Sequence, residues 1–212
     1  MLKEKTYQKC RYLLSPVSLF TLCFTLIAIF LYSMESQAMF GFFKKTEVQL
    51  SPPVKGRITD NGQPLSGVEV VRELFYSGYD KKNAIIDYAL TNTQGEFSFD
   101  EIVVKSRSPS DIFGQNLPVS QEIYIKKETN EHEDDMFLLW GASKHWRSSP
   151  PLNNLMLQLN ADLQNKEVDQ MVDTTGYNTR NEQLVSTICH WENDKVTTYY
   201  NNEVIRSYEE IN

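Results

Sequence analysis

Two separated turn-and-strand patterns constrain what this chain can fold into. The first is Gly56-Arg57-Ile58-Thr59-Asp60-Asn61-Gly62-Gln63-Pro64-Leu65-Ser66-Gly67-Val68-Glu69-Val70. Asn61-Gly62 accepts the positive φ that a tight hairpin needs, and Pro64 stops a helix from propagating, so the segment predicts a strand, a turn and a returning strand. The second is Thr91-Asn92-Thr93-Gln94-Gly95-Glu96-Phe97-Ser98-Phe99. Side chains alternate along a strand, so Phe97 and Phe99 share a face and enter one core. Asn61, Gly62, Gly67 and Gly95 are thereby assigned to structural turns.

The order and spacing of these residues resemble the carboxypeptidase regulatory-like domain, a small transthyretin-like (prealbumin-like) β-sandwich. Its pattern is Gly-x-Val-x-Asp, then Gly-x-Pro-Leu-x-Gly-Val-x-Val, then Thr-Asp-x-x-Gly-x-Phe-x-Phe. Gly56, Asp60, Gly62, Pro64, Leu65, Gly67, Val68, Val70, Thr91, Gly95, Phe97 and Phe99 occupy those places, with Ile58 and Asn92 as substitutions. The resemblance covers residues 54–160 and implies an all-β sandwich whose matching positions are structural, so it transfers no catalytic residue. Met39-Phe40-Gly41-Phe42-Phe43-Lys44-Lys45 and Phe137-Leu138-Leu139-Trp140 also resemble a group of uncharacterised bacterial proteins built around this domain.

The amino-terminal segment, residues 1–38, carries Lys3, Lys5, Lys9 and Arg11 ahead of an uncharged run, residues 12–34. A basic start before an apolar run orients a chain for export and predicts an N-terminal hydrophobic helix, either a signal peptide or a membrane anchor. Ser36-Gln37-Ala38 puts small residues at −3 and −1 of a cleavage before Met39, and the full run is long enough to span a ~30 Å hydrocarbon layer. Both outcomes stay open, as does a start at Met39 that would leave the domain in the cytoplasm. Leu22 before Cys23 argues against lipidation. Residues 39–53 read as an aromatic, basic stub and linker, suited to a membrane interface or to packing as a first strand.

Of 21 basic and 28 acidic residues, four and two lie in residues 1–38, which leaves 17 against 26. That acidic remainder argues against nucleic-acid binding, which requires a cationic footprint, and fits a basic protein partner. Residues 161–212 read as a C-terminal extension of the sandwich. Its strands at 184–191 and 195–200 are joined into a hairpin by Glu192-Asn193-Asp194, and the chain frays or turns helical from Asn201.

Cys189 is the one cysteine beyond residue 38, so no internal disulfide supports the domain, and its apolar neighbours predict a buried thiol. The histidines are His132, His145 and His190. His132-Glu133-Asp134-Asp135 lacks the second histidine of a zinc motif and the glycine-centred ladder of a calcium loop, so an acidic solvated loop is the reading. His190 neighbours Cys189 on a strand and faces away from it. The sequence therefore predicts a non-enzymatic protein with no catalytic, cofactor or metal residues. The expected role is that of an exported binding or structural accessory protein of the bacterial envelope, periplasmic or anchored in the inner membrane. The alternative is an immunity or inhibitor protein that neutralises a secreted toxin. Trp140, His145, Trp146 and Arg147 are the candidate partner-binding residues, because aromatic and arginine side chains anchor interfaces.

Overall fold

In the computed structural model, Asn61 and Gly62 adopt φ of 48° and 78°, and the chain reverses there as the sequence predicts. The structure describes residues 20–27, 45–110, 117–127, 135–177 and 181–211. The chain divides into two units, residues 1–43 and 44–212. In the first, residues 20–27 are helical and exposed, and the remainder of the predicted hydrophobic helix lies outside the described residues. No helix among the described residues is long and apolar enough to cross a membrane.

The second unit is built from strands. β2 (Val54–Asp60) and β3 (Gln63–Pro64) form the hairpin, β6 (Glu96–Phe99) pairs with β2 in antiparallel register, and β10 (Leu159–Asp162) lies parallel to β2 on its other side. A larger sheet runs in the order β14 (Glu203–Ile205), β13 (Val196–Tyr200), β11 (Val168–Asp173), β12 (Glu182–Thr187), β9 (Met136–Lys144), β8 (Val119–Lys126), β4 (Glu69–Phe75), β5 (Ile85–Leu90). A two-stranded ribbon pairs β1 (Thr46–Ser51) with β7 (Ile102–Ser106).

Each sheet is apolar on one face, and burying those faces against one another gives the layered, sandwich-like arrangement. In the main core Val54, Ile58, Phe97, Phe99 and Leu159 of the smaller sheet meet Val70, Ile123, Leu139, Val172 and Val185 of the larger one. Phe97 and Phe99 both enter it, edge to face at 6.1 Å. A second core joins Val48, Leu50 and Val104 of the ribbon to Leu74, Tyr76 and Val119. Each fully buried aliphatic side chain contributes about 1.5–3 kcal/mol.

Several elements differ from the sequence reading. The returning strand after Asn61-Gly62 lasts two residues; the chain then leaves at Gly67 (φ 76°), and β4 joins the other sheet. Leu155, Leu157 and Leu159 alternate in sequence as one face of a strand would, but they do not share one. Pro150 and Pro151 open a short helix, Pro150–Leu155, because proline suits the first helical turn, and Leu157 is left 43 % exposed. The segment around 106–110, whose serines and Pro109 read in sequence as a mobile connection, contains the end of β7, for which β1 supplies the pairing partner, and a 3-10 turn, Ser108–Ser110. The boundary at 160 falls inside β10.

The expected hairpin between 184–191 and 195–200 does not form, because β11 lies between β12 and β13 and pairs with both. β11 is hard to see in sequence because Asp169 and Asp173 flank its inward Val168 and Val172. Asn201 and Asn202, at φ 50° and 66°, first turn the chain into β14, and the short helical turn expected beyond Asn201 comes only at Tyr208–Glu210, a 3-10 helix. The extension thus continues the larger sheet from β9, through the Ser186 to Gly141 register.

Candidate functional site

β9 ends at Lys144, opposite Val119 of β8, and this lysine is 1 % exposed. Its Nζ donates to the backbone carbonyls of Gln49 at 3.0 Å, His145 at 3.2 Å and Arg147 at 3.4 Å. Burial pushes its pKa down to about 8. Two of the three carbonyls belong to the loop that follows, so the ammonium ties that loop to β1. The Arg147 backbone N–H donates to His145 Nδ1 at 3.2 Å. The His145 and Trp146 rings lie 5.3 Å apart at 33°, and the Arg147 guanidinium sits 5.2 Å from the Trp146 ring centre. Burial, then the charges of Arg147 and Lys144, holds the His145 imidazole below its ordinary pKa. Trp146 packs against the second core while Arg147 is exposed. The result is a pre-ordered aromatic and cationic patch.

His145, Trp146 and Arg147 are therefore brought together, but Trp140 does not join them. It is fully buried, donates from Nε1 to Gln121 Oε1 at 3.2 Å, and meets Trp191 edge-on at 5.9 Å. The register between β8 and β9 shifts where Ile123 pairs with Trp140 and Tyr124 with Leu138, which leaves Leu139 as an extra residue on β9, and Leu139 and Trp140 are both buried in succession. An open groove of about 820 Å³ beside β5 and β6, lined by Arg57, Tyr88, Leu90, Glu96 and Asn160 among others, includes none of the four residues.

The remaining sequence candidates serve the fold or lie outside the described residues. His132 and most of the acidic loop fall outside them, as does the aromatic part of the stub. Among the described residues no group of histidine, cysteine and carboxylate side chains is arranged to hold a metal. Cys189 is fully buried, and desolvation pushes its thiol up to about 12, a state that makes a poor nucleophile. His190 stacks on Tyr208 at 3.6 Å, and burial lowers its pKa. Asp162 steadies the Asn61-Gly62 turn by accepting from both backbone N–H groups, from Thr59 Oγ1 and from the Gln164 N–H. Burial opposes ionisation of this carboxyl, but those bonds outweigh it and hold the pKa below the ordinary value.

Sequence reasoning missed Arg72, Lys144 and Asp162. Arg72 is 1 % exposed, forks onto both Asp87 oxygens at 3.0 and 2.6 Å, donates to Ser51 Oγ and the Asp100 carbonyl, and lies 4.7 Å from the Phe99 ring centre. Its signal was parity: Arg72 shares the inward phase of Val70 and Leu74.

This arrangement defines a class: a mostly β, sandwich-like domain whose buried cations are satisfied by its own backbone and side chains. Residues 54–166, more than half of the chain, match the family described as a domain of unknown function (DUF6795), and the chain belongs to that family. The match runs from the first residue of β2 to a point just past β10, so β11 to β14 lie beyond it. No curated protein and no solved structure matches the chain.

Proposed function

We propose that this protein is a non-enzymatic binding or structural accessory protein of the bacterial envelope, carried out of the cytoplasm by its amino-terminal segment. Its domain is a variant of the transthyretin-like sandwich of carboxypeptidase regulatory-like domains. The topological support is the Asn61-Gly62 hairpin and the pairing that sets Gly56 of β2 opposite Phe97 of β6.

One observation carries the binding reading: the Lys144 ammonium locks the loop that presents Trp146 and Arg147. A pre-ordered aromatic and arginine pair loses little conformational entropy on docking, which is what an interface anchor requires. Arg72, Lys144 and Cys189 meanwhile bond to the fold's own atoms. The acidic composition of residues 39–212 favours a basic partner, and with it the second reading, a protein that neutralises a cationic secreted toxin.

The test is fractionation of cells expressing the carboxy-terminally tagged full chain, with intact mass and affinity capture from the same fraction. A product starting at Met39 in the periplasm, or the full chain in the inner membrane, is expected, together with a partner. Recovery in the cytoplasm with no partner would overturn both localisation and role. Trp146→Ala/Arg147→Ala is expected to weaken capture of that partner.

A further inference from the structure

The larger sheet has two sides of opposite character. Its inner side carries Val70, Arg72 and Leu74 of β4 and Gln121, Ile123 and Ile125 of β8, all buried. The strand register fixes what faces the other way. On β5, Leu90, Tyr88 and Ile86 stand opposite Glu69, Val71 and Glu73 of β4. On β8, Tyr124 and Glu122 continue the Val71 and Glu73 rows. Farther along, the same side carries the pairs Met171 with Leu184 and Asp173 with Glu182.

This side is open and apolar along β5, where Ile86, Tyr88 and Leu90 are 48, 59 and 68 % exposed, and Leu184 is 45 % exposed; Val71 and Tyr124, in the same row as Tyr88, are buried, so the accessible apolar surface is that of β5. β5 is also the last strand of its sheet. Its register is unbroken and its sequence holds neither lysine nor proline, so it lacks the devices by which exposed edges deter a partner strand.

The charge on this side is predominantly negative. Among the described strand residues six carboxylates, Glu69, Glu73, Glu122, Asp169, Asp173 and Glu182, share the outward phase against one ammonium, Lys126, and Lys195 lies beside Asp173 just before β13. The field is felt locally: burial first, then Glu73, Glu122 and Tyr88, raise the pKa of Tyr124. A second copy docking face to face would set carboxylate against carboxylate, and nucleic acid or an anionic membrane would be repelled.

We infer that the outward face of β4, β5 and β8 is the docking surface for a basic protein partner whose lysine or arginine side chains are interspersed with apolar ones. Tyr88 and Leu90 supply the apolar contact, while Glu69, Glu73 and Glu122 receive the cations. This deepens the binding reading and rests on it, by naming the partner's chemistry and a surface separate from the Trp146 loop.

The test uses the full chain and a soluble peptide alternating lysine with valine, read by fluorescence anisotropy and by hydrogen exchange, with oligoglutamate as the control peptide. Wild type is expected to bind the lysine peptide with protection in β4, β5 and β8. Glu69→Lys/Glu122→Lys is expected to weaken binding about tenfold or more, since like charges brought together across an interface cost several kcal/mol. Glu192→Lys/Asp194→Lys makes the same charge change at an exposed turn and is expected to leave affinity within about twofold. Tyr88→Ser/Leu90→Ser is the second variant, expected to weaken binding without altering charge.

No binding by wild type, equal loss in both charge-reversed variants, preference for oligoglutamate, or protection away from these strands would each overturn the inference. In the capture experiment, a partner still held by Glu69→Lys/Glu122→Lys would refute this surface and leave the binding role standing. Peptide binding at this face with no partner captured would refute the role and leave the surface's chemistry standing.

Discussion

Replacing Lys144 with methionine keeps an unbranched stem of similar length and removes the buried ammonium. In the folded protein this lysine titrates at about 8, against an ordinary 10.5, because burial disfavours its charge. Between those values the folded chain has released the proton and the unfolded chain still holds it. Stability therefore rises with pH across this window, since the unfolded state binds more protons. From pH 7 to pH 10 the linkage amounts to about 2.5 kcal/mol gained by wild type over Lys144→Met. His145 titrates below this range and the Cys189 thiol above it, and both groups are present in the two chains. Urea unfolding followed by tryptophan fluorescence at pH 7, 8, 9 and 10 gives the difference directly. The sign at pH 7 depends on three lost carbonyl bonds against one relieved buried charge, whereas the slope depends on the charge alone. A difference that stays flat with pH, or that moves against wild type, would refute the buried ammonium with its lowered pKa.

Asp87→Asn should destabilise the domain by about 2–3 kcal/mol, below the 3–5 kcal/mol typical of a fully buried pair, because the Asp87 side chain is 37 % exposed and water reaches it. Thermal unfolding should fall by roughly 4–12 °C, and an unchanged midpoint would show that Ser51 and the Asp100 carbonyl satisfy Arg72 without it. The two turn glycines should behave differently despite φ of 78° and 76°. A Cβ at Gly62 meets open space, so Gly62→Ala should cost about 1 kcal/mol from the backbone alone. At Gly95 it would overlap the Ile58 carbonyl, so the loss should be clearly larger; equal losses by urea titration would count against the β2 to β6 contact.

What the sequence made legible was local. Asn61-Gly62 announces its hairpin because the backbone conformation is encoded in two adjacent residues, and Phe97 and Phe99 announce a buried face because strand parity is a short-range rule. Arg72 was readable on the same rule. Lys144 was not, because one of the carbonyls that hold it belongs to Gln49, 95 positions away. The Trp146 and Arg147 patch could be placed after the apolar run, but the cation that orders it could not. Trp140 was misassigned because a bulge in its own strand at Leu139, which only the pairing with β8 reveals, decides which way it faces. β7 escaped notice, and β1 stood as only one of two readings of the stub, for a related reason, since each is completed by a partner some fifty residues distant.

The strands beyond the family match complete the domain rather than decorate it. Val172 and Val185 enter the main core. Trp191 lies against Trp140, and its indole N–H donates to the Gln158 carbonyl at 3.0 Å. The Ile188 N–H bonds the Leu138 carbonyl at 2.8 Å, and Thr187 Oγ1 bonds the Leu139 carbonyl at 2.6 Å, although register pairing between β12 and β9 is limited to Ser186 and Gly141. These contacts cover the side of β9 that a chain ending at Lys166 would leave as an open edge. The same strands carry Asp169, Asp173 and Glu182 onto the outward face, so the acidic side of the sheet is itself completed by the extension. Residues 167–205 thus close the core and lengthen the surface on which the inferred partner would dock, and the two roles follow from one alternation: Val168, Gln170 and Val172 face inward, while Asp169, Met171 and Asp173 face out.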